Sequence, residues 1–321
     1  MTSNAFNRPV RTAVFPVGGQ GTRFLPATKA VPKELLPIVD KPLLQYAVEE
    51  ALSAGIERLV FVTARGKGAL EDYFDVAGEL VASLKAKGKH AELAVLEATQ
   101  LDPGRVVYVR QQEPAGLGHA VWCARVVVGN EPFAVLLPDE LLWSPEAPCL
   151  KQMNDAYARV GGNVIAVLEV PAEHTDRFGI VSPGAVDGLL TEVKGLVEKP
   201  RGLAPSRLAA IGRYILQPEC MTHLAAHRRG AGGEIQLTDA MAELIGQQPF
   251  HAFTFTGQRF DCGDKAGYVT ANIALALERA DIGPQVAAYL AGRSYAITSP
   301  CCPPRPLSEG RERTGRARNF S

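Results

Sequence analysis

The stretch Val14–Pro42 reads VFPVGGQGTRFLPATKAVPKELLPIVDKP. It opens as an apolar run that ends in Gly18, Gly19 and Gly21, which is how a strand leading into a phosphate-binding turn begins. It does not continue as the common versions of that motif do. The pattern G-x-x-x-x-G-K-[ST] is absent, and in G-x-G-x-x-G the third glycine is replaced by Phe24. The second pattern also needs a helix to start at once. Here Pro26 and Pro32 interrupt the chain and bias Leu25 and Val31 towards extended geometry. The reading is a stiff loop that holds Arg23 and Lys33 at fixed positions around a glycine turn. Backbone N–H groups turned inward there, with two cations beside them, suit a triphosphate better than a dinucleotide.

Outward from this loop the first half alternates strand and helix. Val10–Val17 reads as a strand, Leu43–Ala54 as a helix stopped by Gly55, and Ile56–Thr63 as a buried strand. A second helical region covers Lys67–Leu84. The strand Val106–Val109, the helix Leu117–Val127 and the strand Phe133–Leu137 follow. This order predicts right-handed crossovers and a parallel sheet. The second half reads as α+β. Its strands are Asn163–Val170, Phe178–Ser182, Leu190–Leu196, Ala209–Leu216 and Phe250–Thr256, with helices at Pro218–His227 and Leu237–Ile245. Asp264 is placed to cap a long helix to about Ala280, and Gln285–Ala291 is a further helical stretch.

The 321 residues are 46% hydrophobic and 21% charged, so a sizeable core is expected and global disorder is not. A formal net charge of zero disfavours a nucleic-acid binder. No signal peptide or apolar span is visible, and the six cysteines form no C-x-x-C, so a cytoplasmic protein with idle thiols and no membrane partner is expected. Residues 1–9 read as a flexible N-terminus. Residues 293–321, rich in proline and arginine, read as a disordered tail.

Several residues outside the loop carry chemistry of their own. Asp139 follows a buried strand at its C-terminal end, where ligands of open α/β sheets sit, and a carboxylate there can hold Mg²⁺. Asp261, between a phenylalanine and a Cys-Gly turn, is a candidate second carboxylate. Gln111 offers both a donor and an acceptor to a pyrimidine edge, and Gly116 lets backbone approach a base. Glu198 and Lys199 are strand neighbours that reach one ligand only if Pro200 bends the chain. Thr238 and Asp239 read as caps of the following helix, with Glu234 near the sugar pocket. His119 reads as structural, and Glu140 as pointing away from the site.

The string G-x-G-T-R-x-L-P-x-T-K-x-x-P-K-E-x-L-P-I-x-D-K-P resembles the signature of sugar-1-phosphate nucleotidylyltransferases, and P-A-T-K-A-V-P-K-E resembles their bacterial UTP–glucose-1-phosphate branch. Val109–Gln111 with Gly116–Ala120, Leu136–Asp139, Phe178–Val181, Val197–Pro200, Gly232–Asp239 and Phe260–Gly263 agree in order and spacing. The match runs from about Thr12 to Gly292. One departure is Gly19-Gln20, where the family pattern has Ala-Leu or similar, so Gln20 bears on base preference.

The resemblance implies an α/β fold: a Rossmann-like mixed, mainly parallel sheet flanked by helices, with a smaller α+β sugar-binding part. It implies a nucleotide-binding half over 10–142, a sugar-binding half over 143–262 and C-terminal helices over 263–292. It implies that Gly18, Gly19, Gly21 and Thr22 bind the nucleotide, with Gln111 and backbone at Gly19 and Gly116 reading uracil. Asp139 and Asp261 would share one Mg²⁺. Arg23, Lys33, Asp139 and Lys199 would be catalytic; the Gly179 backbone and Glu198 would bind the sugar, Glu198 accepting from its hydroxyls, and Lys199 would meet the sugar phosphate. The implied reaction joins UTP and glucose 1-phosphate into UDP-glucose and pyrophosphate, in a homodimer or homotetramer. Alternatives are a thymidylyltransferase or a non-catalytic regulatory paralogue. The presence of Arg23, Lys33, Asp139 and Asp261 together argues against the second, and the Lys67–Leu101 insertion favours the uridylyl branch.

Overall fold

The computed structural model describes residues 6–292. Its centre is a nine-stranded mixed sheet. The chain enters on β1 (Thr12–Pro16), and the basic loop after it ends in a two-residue ladder of β2 (Pro37–Ile38) with β3 (Lys41–Pro42). Helix α1 (Leu43–Ser53) crosses to β4 (Arg58–Thr63). Leu44, Ala47, Val48 and Ala51 lie at helical spacing and are buried, and Gly55 at φ 85° ends the helix in the left-handed region. Three helices follow, α2 (Gly68–Phe74), α3 (Gly78–Ala86) and α4 (His90–Glu97), before β5 (Val106–Arg110). The single helical region expected at Lys67–Leu84 is thus two helices. Leu70 and Phe74 anchor the first, whereas α3 and α4 bury no residue.

Next come α5 (Leu117–Cys123), α6 (Arg125–Val128), β6 (Phe133–Leu136), β7 (Glu140–Trp143) and α7 (Cys149–Val160). The second half contains β8 (Asn163–Glu169), β9 (Gly179–Asp187), β10 (Leu190–Glu198), β11 (Leu208–Leu216), α8 (Glu219–Leu224) and α9 (Leu237–Leu244). It closes with β12 (Phe250–Thr254), β13 (Gln258–Asp261) and α10 (Lys265–Glu278), whose first turn Asp264 caps by accepting from the Ala266 N–H at 2.9 Å.

The strand order is β5-β4-β1-β6-β11-β8-β12-β10-β9. The first four are mutually parallel, as the alternation of strand and helix predicts. From β11 onward the pairing is antiparallel except for β8 with β12. Successive side chains of each central strand face opposite layers. Phe15 and Phe61 join the core with α1, α2 and α7, while Val14, Val60 and Val62 join the core with α5, α8 and α9. Both faces are therefore covered, which explains why these strands read as continuous apolar runs. The two halves share this one sheet, because β11 of the second pairs directly with β6 of the first.

The N-terminal segment differs from expectation. Phe6 and Arg8 carbonyls accept hydrogen bonds from the Tyr157 hydroxyl at 3.0 and 2.9 Å, and Phe6 also accepts from the Gly162 N–H at 2.9 Å. Residues 6–8 are thus held against the end of α7, and such ties are what fix a terminus. The expected tail at 293–321 lies outside the described residues, as do residues 1–5. The described residues up to Ala276 form one compact unit, and those from Leu277 a second that contains α11 (Gly283–Ala291).

Candidate active site

Because β1, β4, β5 and β6 are parallel, their C-terminal ends open on one edge of the sheet. The glycine turn leaves β1 there, Gln111 leaves β5, and Asp139 follows β6. Gly18, Gly19, Lys33, Gln111, Gly116, Asp139 and Glu234 line one cavity of about 620 Å³. This is the crevice where open α/β sheets bind ligands.

No α-helix follows the glycines. The loop instead makes three single 3-10 turns, Thr22–Phe24, Ala27–Lys29 and Lys33–Leu35. Leu25 (φ −62°, ψ 139°) and Leu36 (φ −63°, ψ 129°), each before a proline, are extended, so the first and third turns stop before a helix can propagate. Gly21 has φ 66°, and a Cβ there would lie 3.2 Å from both Lys33 and Thr28 side-chain atoms. Glycine is required at that point by both conformation and space. The Thr28 hydroxyl donates to the Gly21 carbonyl at 2.7 Å and ties the loop back on itself. Thr22 and Arg23 are exposed at the turn.

Lys33 is anchored rather than free. Its ammonium lies 2.6 Å from Asp139 Oδ2. Burial works against both charges, but their attraction and hydrogen bond outweigh it. Lys33 is held above the ordinary lysine value and the Asp139 carboxyl below the ordinary carboxylate value. Asp261 reaches the same place through β13, which pairs with β7 so that Asp261 faces Glu140. The Cys262 N–H donates to the Asp139 carbonyl at 2.8 Å and fixes this register.

A Cβ built on Gly263 would lie 3.1 Å from Asp139 Oδ2, 3.1 Å from Asp261 Oδ1 and 3.7 Å from Arg23 Nη1. Two carboxylates and a guanidinium therefore converge on a space that any side chain at 263 would fill. Among the described residues no group of three or more His, Cys, Asp or Glu side chains is arranged to hold an ion. The donor set is two carboxylates and nothing softer, which fits a hard cation that keeps its other positions for water and phosphate oxygens.

Glu140 is tied into the same charge network, since its partner Arg259 also lies 3.6 Å from Asp261 Oδ2. It pairs with Arg259, whose Nη2 lies 2.7 Å from Glu140 Oε1. The turn carrying Asp139 is held from below by Arg213, fully buried at 1% exposure. Arg213 donates to Leu137 and Glu140 carbonyls at 2.9 and 3.0 Å, on either side of Asp139, and grips both oxygens of Glu50. Sequence reading missed Arg213. An arginine in an apolar strand run, RYIL, was its only signal.

The sugar candidates form a second cluster. Glu198 ends β10, and Lys199 leaves the strand at φ 45°, so the chain does bend where both were required to face one ligand. Lys199 Nζ lies 3.5 Å from Glu198 Oε1. A Cβ on Gly179 would come within 3.3 Å of Glu198 Oε2 and of the Thr238 hydroxyl. Thr238 is not a helix cap: α9 has Gln236 at its N-cap without a side-chain hydrogen bond, and the Thr238 hydroxyl donates to Glu198 Oε2 at 2.7 Å. A part-buried carboxylate attracts the hydroxyl more strongly than a solvated helix end does. Lys199 lines a separate cavity of about 580 Å³ with Arg201 and Thr175.

Gly116 also has a different reason from the one expected. At φ 112° its Cβ would fall 2.7 Å from the Ile235 carbonyl. The glycine allows Glu234–Ile235 to pack against the loop, and backbone access to the cavity follows from that packing.

The nucleotidyl transferase family matches residues 13–278. A UTP–glucose-1-phosphate uridylyltransferase of Komagataeibacter xylinus is 53% identical over 259 residues, covering 80% of this chain and 91% of that protein. A UTP-bound UGPase from Acinetobacter baumannii superposes with a TM-score of 0.82 at 40% identity, covering 88% of this chain and 99% of the other. A UDP-glucose pyrophosphorylase solved with UDP-glucose gives a TM-score of 0.76 at 41% identity, covering 84% and 100%. Nucleotidyl transferases generally use a divalent metal. The chain belongs to the nucleotidyl transferase family.

Proposed function

We propose that this chain transfers a uridylyl group from UTP to glucose 1-phosphate, giving UDP-glucose and pyrophosphate. The observation that carries this reading is the convergence of Asp139, Asp261 and Arg23 on Gly263 beside the glycine-lined cavity that holds Lys33 and Gln111. It is supported by relatives named for that reaction across most of the chain.

A phosphate oxygen of glucose 1-phosphate attacks the α-phosphorus of UTP in line, the new P–O bond forms, and pyrophosphate leaves with the electrons of the broken one. The nucleophile is already anionic, so no general base is needed. The obstacle is repulsion between two polyanions. Lys33 and Arg23 face the triphosphate and stabilise charge on the departing pyrophosphate, and Lys199 holds the sugar phosphate. Gly18, Gly19, Gly21 and Thr22 give backbone N–H groups to the nucleotide. Glu198, positioned by Thr238, accepts from sugar hydroxyls beside the Gly179 backbone. Asp139 and Asp261 would hold Mg²⁺, which supplies charge neutralisation and a template for the phosphates when bound. Lys33, paired with Asp139 in the free protein, would turn to phosphate on substrate arrival, which would leave the Asp139 carboxylate available to hold the cation.

The working form in this reading is a homodimer or homotetramer in the cytoplasm, where nucleoside triphosphates are at hand. No helix among the described residues is long and apolar enough to cross a membrane.

The test is pyrophosphate release by purified protein with Mg²⁺, glucose 1-phosphate and UTP, stopped by EDTA. Product with dTTP and none with UTP overturns the uridylyl assignment. No product with any nucleotide favours a regulatory role.

A further inference from the structure

His119 has no part in the reaction above, yet it touches the one side chain that reads the base. Gln111 is 8% exposed and sits at the end of β5, where its N–H donates to the Thr63 carbonyl at 2.8 Å. Its carboxamide nitrogen lies 3.1 Å from the Gly116 carbonyl and 3.1 Å from His119 Nδ1. A main-chain carbonyl only accepts, so Gly116 fixes which end of the amide faces it. The nitrogen's second hydrogen then points at His119, and Nδ1 must carry a lone pair. The ring is neutral, with its proton on Nε2. Gln111 Oε1 is consequently turned the other way, towards Gly18, whose Cβ position is 3.3 Å from it. Both glycines line the nucleotide cavity.

We propose that His119 is a positioning residue for base selection: its neutral Nδ1 locks the Gln111 carboxamide with only Oε1 presented to the base. An acceptor at that place receives the N3–H of uracil. It opposes the N3 lone pair of cytosine, so the lock favours UTP over CTP. A protonated ring would set N–H against NH₂. Flipping the amide to relieve this would set Oε1 against the Gly116 carbonyl, so neither arrangement keeps the reader in place.

The surroundings keep the ring in the required state. His119 stacks on Trp122 with centroids 6.0 Å apart, and His227 meets it edge-on at 5.5 Å. Arg125 lies over the far ring, 3.6 Å from the Trp122 centroid. Burial, His227 and Arg125 hold His119 below its ordinary value, against an opposing pull from the Glu113 main chain and carboxylate. The lock is therefore closed at neutral pH and opens on acidification.

This inference rests on the uridylyl reading, and the experiment separates the two. Turnover with UTP and CTP is measured on the full chain for wild type, His119→Asn and His119→Ala, between about pH 5.5 and pH 8.5. In His119→Asn, Oδ1 takes the Nδ1 position and accepts without titrating. The expected result is a wild-type KM for UTP that rises about tenfold on the acid side, beyond the rise in His119→Asn caused by the phosphates alone. His119→Asn keeps the wild-type KM at pH 8 within about threefold, and His119→Ala lowers the UTP-to-CTP ratio of kcat/KM about tenfold. Identical acid profiles for wild type and His119→Asn, or an unchanged UTP-to-CTP ratio in folded His119→Ala, overturns the proposal. If His119→Ala does not fold, the comparison of wild type with His119→Asn decides alone. Absence of UTP turnover in wild type at every pH sinks the uridylyl reading itself, and the inference with it.

Discussion

Lys33 Nζ and Asp139 Oδ2 lie 2.6 Å apart although 106 residues separate them. A candidate phosphate ligand and a candidate metal ligand thus neutralise each other across the floor of the cleft. Asp139→Asn removes a full charge from both the cation site and this pair at little cost in shape. Turnover should fall by at least about 10²–10³ with the circular dichroism spectrum unchanged. Lys33→Met should cost a similar factor in kcat. Normal pyrophosphate release from either variant would refute the assigned role.

Gly263 makes a sharper test of the cation site, because it is no ligand. Gly263→Ala places a methyl 3.1 Å from each of two carboxylate oxygens. We expect kcat to drop about 10²-fold and the Mg²⁺ concentration for half-maximal rate to rise, with an unaltered thermal midpoint. A variant with wild-type metal dependence would place the cation elsewhere.

The Thr238 hydroxyl donates to Glu198 at 2.7 Å. Thr238→Val keeps the shape and removes the donor. A lost hydrogen bond to a part-buried carboxylate is worth about 1–1.5 kcal/mol. The KM for glucose 1-phosphate should rise about 5–10-fold with little change in kcat or in the KM for UTP. A selective effect on UTP instead would show that Glu198 does not serve the sugar.

Glu34, in the third turn of the basic loop, has its side chain fully buried, 2.8 Å from Lys67. Burial raises its carboxyl above the ordinary value, against the pull of Lys67 and Lys33. A group raised on folding stabilises most below its unfolded pKa and loses that contribution as pH rises through the folded value. Removing Lys67 raises Glu34 further. Lys67→Met should therefore lose stability relative to wild type as pH climbs from about 5 to 8, reaching a deficit of about 3 kcal/mol. The double variant Glu34→Gln with Lys67→Met should recover most of that deficit at pH 8. Urea unfolding at several pH values measures both, and a pH-independent deficit would contradict the assignment.

How much of this was legible in the sequence depends on where each residue sits. Gly18, Gly19 and Asp139 follow buried strands, and an apolar run closed by glycine or proline marks such an end in one dimension, whereas Gln111 follows the half-buried edge strand β5. Helix α1 was equally plain from Leu44, Ala47, Val48 and Ala51 before Gly55. Helix α7 was missed although Cys149, Leu150, Met153, Ala156 and Tyr157 carry its periodicity up to Gly161. Helix α4 had no such signal, since it buries nothing. Strands β7 and β13 are four residues each and are stabilised by one another, 121 residues apart at the Glu140–Asp261 pairing, beyond the reach of any local window.

The sequence by itself determined the parallel nucleotide-proximal sheet, the non-helical basic loop and the identity of the charged candidates, because apolar periodicity, proline geometry and side-chain chemistry are local properties. Only the tertiary structure decided which of those charges meet. It joined Lys33 to Asp139, brought Asp261 and Gly263 to Asp139, and turned Thr238 from its own helix to Glu198. Each of these depends on strand pairing or helix packing between distant segments, where the alternative is a buried polar group without a partner.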